Sequence, residues 1–137
     1  MHITLLKSKI HRATVTGASL DYEGSLSVSA DIAEMVGLLP YERILVGNLR
    51  NGERFETYVI YAAPGNGVIE LNATAHLGKI GDLLTIMSFA QLTPEQAKSH
   101  HPRIAVLDRG NRVIRRESGE TPTSRREWET EVLHSCG

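Results

Sequence analysis

Hydrophobic and polar positions along this chain fall into short runs bounded by turn residues, the pattern of strands that bury one face. Residues 3–16 interleave Ile3, Thr4, Ile10, Thr14, Val15 and Thr16 with basic side chains, which predicts one or two strands. A short strand is predicted over 26–29. Residues 29–38 then change to helical spacing, with Ile32, Met35 and Val36 on one face, Ser29 or Asp31 at the start and Gly37 at the end. Strands at 43–49 and 54–63 flank Asn51-Gly52, a hairpin signal. Pro64-Gly65-Asn66-Gly67 is a turn, and its Gly-x-Gly is no phosphate loop, because a strand at 68–71 follows where a helix is required. Further strands are predicted at 83–92 and 103–108, separated by a short helix that Thr93 caps through Pro94. Many short strands and two short helices predict a mainly β fold, a closed or nearly closed barrel with few exposed edges. Beyond Ile114 polar and charged residues dominate and predict a mobile tail, on which Trp128, Val132 and Leu133 offer a short docking helix.

Composition narrows the partners. A chain of 137 residues supports one domain, expected over 1–115 with 116–137 as tail. Fifteen Lys and Arg against sixteen Asp and Glu leave no field to hold nucleic acid or an anionic membrane, so the expected partner is a small molecule. Cys136 is the only cysteine, which excludes an internal disulfide. Lys7, Lys9, His11 and Arg12 interrupt the amino terminus, unlike a signal peptide. No window reaches the roughly 20 apolar residues that span a bilayer. A soluble, cytoplasmic protein is expected.

Candidate chemistry centres on Tyr22-Glu23-Gly24-Ser25. Alone, a Gly-Ser pair reads as a hairpin turn with an exposed hydroxyl. The pair also suits attack by the serine on its own backbone, because glycine has no Cβ to block approach to its carbonyl. Displacement of the Ser25 amide nitrogen by Oγ turns the peptide bond into an ester. Elimination then cuts the chain after Gly24 and leaves a pyruvoyl group at residue 25, an electrophilic ketone that condenses with amines. Lys9 and His11, two apart on a strand, share a face and read as a solvated edge on spacing alone. Alternation over 54–63 puts Arg54, Glu56 and Tyr58 on one face and Phe55, Thr57 and Val59 on the other. Thr57 and Tyr58 therefore share a site only at a strand end or a subunit boundary.

Taken together, Lys9-Ile10-His11-Arg12, Tyr22-Glu23-Gly24-Ser25, Asn51-Gly52-Glu53-Arg54-Phe55, Thr57-Tyr58, Asn72 and Gly81-Asp82 resemble the pyruvoyl-dependent aspartate 1-decarboxylases, from about Ile3 to Asn111. The resemblance implies a six-stranded double-psi β-barrel with short helices, assembled as a homotetramer of four alpha and four beta chains with active sites between subunits. It implies cleavage between Gly24 and Ser25 into 1–24, the beta chain, and 25–137, the alpha chain, with room for a maturation factor. The implied cofactor is the pyruvoyl group derived from Ser25, with no metal and no pyridoxal phosphate, working through a Schiff base. The implied activity is decarboxylation of L-aspartate to β-alanine and carbon dioxide, on the way to pantothenate and coenzyme A. Tyr58 resembles the proton donor. Lys9, His11, Arg54, Thr57, Ala73, Thr74 and Ala75 resemble substrate-binding positions, Arg54 as the planar fork on a carboxylate. Tyr22, Thr57 and Asn72 resemble the processing and oxyanion positions.

Two features depart from the family pattern. Gly47 stands where members usually carry tryptophan, and the loop after Asn72 is one residue shorter and lacks the usual glycine. The same pyruvoyl chemistry on another amino acid is thus one alternative, and an uncut ligand-binding barrel is a second. A serine hydrolase fails for want of a Gly-x-Ser-x-Gly setting. A metal protein is weak, since the adjacent His100 and His101 do not readily face one ion and there is no cysteine cluster.

Overall fold

A computed structural model describes residues 1–19, 24–72 and 77–118. Its strands are β1 (Ile3–Thr14), β2 (Gly17–Ser19), β3 (Ser25–Ser29), β4 (Arg43–Asn48), β5 (Arg54–Ala62), β6 (Ile69–Asn72), β7 (Leu83–Leu92), β8 (Arg103–Leu107) and β9 (Val113–Ser118). Two helices interrupt them, α1 (Ala30–Met35) and α2 (Pro94–Ala97). The strands hydrogen-bond in the order β2-β6-β3-β5-β4-β7-β1-β8-β9. Within this order β1 runs parallel to β8 and β3 parallel to β5, while β1–β7, β4–β7, β4–β5 and β3–β6 are antiparallel. Such crossed pairing in a mainly β chain is consistent with a double-psi barrel. The core is aliphatic, drawn from the inward faces of these strands, with Ile10, Leu26, Val59, Leu71, Leu84 and Ile86 fully buried.

Two local departures matter for what faces outward. On β1 the register slips between His11 and Ala13, and Arg12 takes φ 64. This bulge lets Ile10 and Ala13 both enter the core while His11 stays on the outer face. The turn from β4 to β5 is longer than the Asn-Gly signal predicts: Asn48 N–H donates to Glu53 O at 2.8 Å, and Gly52, at φ 74, supplies the left-handed residue.

At the helices, Thr93 and Gln96 form a reciprocal capping box on α2, with Pro94 in its first turn. Ser29 stands at the N-cap of α1 without capping its backbone; the hydroxyl donates to Asp31 Oδ1 at 2.5 Å instead. Residues 116–118, expected in the tail, belong to β9. Residues 113–118 pair antiparallel with β8, because the outer edge of β8 leaves backbone groups to satisfy and Val113 packs on the core. Trp128, Val132 and Leu133 lie outside the described residues. Among those described, no helix is long and apolar enough to cross a membrane.

Candidate active site

Ser25 is the first residue of β3 and only 4% exposed, while Gly24 just before it is open to solvent. Across the antiparallel pair Ser25 faces Asn72, the last residue of β6, and Asn72 Nδ2 donates to Ser25 Oγ at 3.1 Å. The same amide nitrogen donates to Ser27 Oγ at 2.8 Å. On the other side, β3 pairs in parallel with β5 through Leu26 and Val59, so one step earlier Ser25 and Tyr58 lie side by side. One step earlier again Thr57 adjoins Gly24, and its Oγ1 donates to the Gly24 carbonyl at 3.0 Å. The residue pair on which cleavage is expected thus has a donor on its carbonyl and a donor on its hydroxyl. A Cβ placed on Gly24 would meet nothing within 4 Å, so the carbonyl is sterically open.

Thr57 and Tyr58 stay on opposite faces of β5, and the Thr57 hydroxyl is the one that reaches the Gly24 carbonyl. The start of β3 is a strand end, where a hydroxyl from the inner face reaches the last carbonyl before the ladder begins. Tyr58 points outward beside Tyr41, with ring centroids 6.4 Å apart and planes tilted by 38°.

The remaining predicted residues collect elsewhere. Arg54 pairs with Gly47, Gly47 with Thr85, and Thr85 with His11, so one row crosses β5, β4, β7 and β1. Lys9 lies two residues up β1, opposite Met87. His11 Nδ1 is 3.2 Å from Thr85 Oγ1. Partial burial and the positive charges of Lys9, Arg12 and Arg115 lower the His11 pKa and favour the neutral ring. Gly47 leaves a gap in the row, since a Cβ there would also meet nothing within 4 Å. Arg54 is four residues down β5 from Tyr58, about 13 Å at the usual strand rise, and His11 is three strands beyond, about 14 Å across the sheet. One chain therefore carries two separate groups: Gly24, Ser25, Thr57, Tyr58 and Asn72 in the first, Lys9, His11 and Arg54 in the second.

Tyr22, Ala73, Thr74 and Ala75 lie outside the described residues. Residues 77–82 are anchored by a hydrogen-bond network centred on Asp82, whose partners sequence reasoning did not single out. Asp82, buried, accepts from Asn48 Nδ2 at 2.9 Å, Lys79 N at 3.0 Å and Arg50 Nε at 2.6 Å, and Asn48 Nδ2 also donates to Leu77 O. The Arg50 guanidinium, with these other donors, holds the Asp82 carboxyl down at about 2. Ser27 and Thr85 were missed too. Period-two spacing from Ser25 along a strand is the signal for Ser27, whereas Thr85 needs the β1–β7 register. Among the described residues, no group of three or more His, Cys, Asp or Glu is placed to hold a metal ion.

A family model described as aspartate decarboxylase matches residues 1–114. The chain belongs to the aspartate decarboxylase family. The aspartate 1-decarboxylase of Thioalkalivibrio sulfidiphilus is 47% identical over 116 residues, covering 84% of this chain and 92% of that protein. The corresponding protein of Ruminiclostridium cellulolyticum is 45% identical over 121 residues, covering 88% and 94%. That of Listeria monocytogenes serotype 4b is 47% identical over 114 residues, covering 82% and 90%. Aspartate decarboxylases of this family are carboxy-lyases that use a pyruvoyl group derived from serine. The described residues suit that origin, with Ser25 following an unobstructed glycine carbonyl and both reacting groups already hydrogen-bonded.

Proposed function

We propose that this chain cuts itself between Gly24 and Ser25 and then decarboxylates L-aspartate to β-alanine and carbon dioxide, supplying pantothenate synthesis in the cytoplasm. The observation that carries this reading is the pair of hydrogen bonds at one peptide unit, Thr57 Oγ1 to Gly24 O and Asn72 Nδ2 to Ser25 Oγ. Ser25 Oγ adds to the Gly24 carbonyl carbon while Thr57 holds the oxygen on which negative charge develops. The carbon–nitrogen bond breaks, the hydroxyl proton passes to that nitrogen, and an ester replaces the amide. Loss of the Ser25 Cα proton expels the Gly24 carboxylate and gives fragment 1–24. Water then replaces the nitrogen of residue 25, which departs as ammonia.

The pyruvoyl group supplies an electron sink next to the substrate's amine-bearing carbon, which makes loss of the carboxylate accessible. Tyr58, beside residue 25 on the next strand, returns a proton to the substrate carbon. Arg54 binds the second carboxylate of an acidic substrate by paired N–H donation. Lys9 adds positive charge and His11 a neutral imidazole. Thr57 contacts substrate after maturation, Ala73, Thr74 and Ala75 match the family's substrate-binding positions, and Tyr22 assists processing. Because the two residue groups are far apart along one chain, the site is completed by the Lys9, His11 and Arg54 row of a second copy, in a homotetramer of four alpha and four beta chains. A maturation factor is compatible with this scheme.

A second reading rests on Gly47: the gap in the row between Arg54 and Thr85 suits a substrate side chain longer than that of aspartate. Carbon dioxide release by the processed protein, measured with aspartate, glutamate and larger amino acids, separates the two. Turnover of aspartate alone supports the first reading, and turnover confined to another amino acid defeats it. Ser25→Ala must be inactive on every substrate; residual decarboxylation by that variant sinks the mechanism.

A further inference from the structure

The amide of Asn72 carries two hydrogens, and they serve two different hydroxyls, Ser25 Oγ at 3.1 Å and Ser27 Oγ at 2.8 Å. The shorter bond is to the serine that does not react. We infer that Ser27 is a positioning residue for the self-cleavage, fixing the Asn72 amide so that its second hydrogen points at the nucleophile. The inference rests on the reading that Gly24-Ser25 is cut.

The terminal torsion of an asparagine is broad, with no sharp staggered well to fix the amide plane. Hydrogen bonds from the side-chain amide of Asn72 therefore set the orientation of its plane. Strand geometry places Ser27 to make one of them. Ser25 and Ser27 are two apart on β3 and project to one face, and β6 runs antiparallel beside them with Ser27 opposite Glu70 and Ser25 opposite Asn72. The Asn72 side chain therefore leans along the pair and spans both hydroxyls. Ser27 is 7% exposed and Asn72 3%, so water is poorly placed to substitute for the lost hydroxyl.

The consequence falls on one step. As the bond from Ser25 Oγ to the Gly24 carbonyl carbon forms and the carbon–nitrogen bond breaks, the hydroxyl proton moves to the departing nitrogen. A fixed donor at Oγ holds this oxygen over the carbon and stabilises the charge it gains on losing its proton. Thr57 acts on the other atom of the reacting pair, so Ser27 and Thr57 support opposite ends of one attack. An apolar side chain at 27 removes the shorter of these two bonds from the Asn72 amide, and its alignment on the nucleophile loosens.

The test follows intact mass over time for freshly purified wild type, Ser27→Ala, Ser27→Thr and Ser27→Val. The last two share a shape and differ in the hydroxyl, so their comparison removes folding and packing from the result. Cleavage about tenfold slower in Ser27→Ala and Ser27→Val, with Ser27→Thr close to wild type, is the expected outcome. Equal or faster cleavage in Ser27→Val than in Ser27→Thr overturns the role of Ser27 while leaving the self-cleavage reading intact. A wild type that stays uncut under the same conditions overturns the self-cleavage reading and this inference with it.

Discussion

Thr57 and His11 show how single side chains carry the proposed chemistry. Thr57 is paired with a carbonyl that accumulates charge only during attack, so its bond strengthens in the transition state. Replacing it with Val should slow cleavage by roughly a hundredfold, and Thr57→Ser should stay within a few-fold of wild type, both read from the fraction of cut chain. His11 is shifted the other way from a general acid: burial first, then Lys9, Arg12 and Arg115, lower its pKa. NMR titration should therefore place its midpoint below the usual value of about 6.5, and Lys9→Met should raise it without restoring it fully, since desolvation remains. The sequence made much of this scale legible, because Gly24-Ser25, Thr57, Asn72 and Tyr58 are adjacent or diagonal neighbours on β3, β5 and β6 once the register is known. Thr85 and Ser27 were not legible as partners. Ordinary hydroxyls become meaningful only when another strand supplies His11 or Asn72.

At the level of elements, the turn between β4 and β5 is tied to the segment ahead of β7 through Asp82, Asn48 and Arg50. The ion pair joins a half-exposed arginine to a carboxylate whose side chain is 3% exposed, so the carboxylate depends on it far more than the arginine does. The Asp82 pKa in the folded state is about 2, below its unfolded value, so its contribution to stability is complete above the unfolded pKa and is lost as pH falls through the folded one. Wild type should lose urea resistance between about pH 4 and pH 2, and Asp82→Asn should lose less over that window while being less stable at pH 7. Asp82→Ala leaves the buried Asn48 amide without this acceptor and should cost about 2 kcal/mol at neutral pH. Hydrophobic patterning located these strands well, because each carries a run of core residues such as Leu84 and Ile86. It did not foresee β9, where Arg115, Arg116 and Glu117 read as tail; pairing with the edge of β8 is a tertiary demand that local composition does not express. Nor did it foresee the bulge at Arg12, which returns Ala13 to the core beside Ile10.

For the whole molecule, separation of the reactive peptide from the Arg54 row is the governing fact. A site divided between two copies predicts complementation: Arg54→Ala and Tyr58→Phe should each be inactive alone, yet mixed oligomers made by co-expression should regain activity in roughly a quarter of their sites. Co-expressed oligomers as inactive as either parent would contradict a shared site. The central claim, however, concerns covalent structure, and intact mass of the purified wild-type chain reads it directly. The account predicts two species, fragment 1–24 and fragment 25–137, the longer one lighter by one ammonia than the same peptide beginning with serine. An enzyme that decarboxylates aspartate while its mass is that of one continuous chain, with Ser25 unmodified, would contradict it.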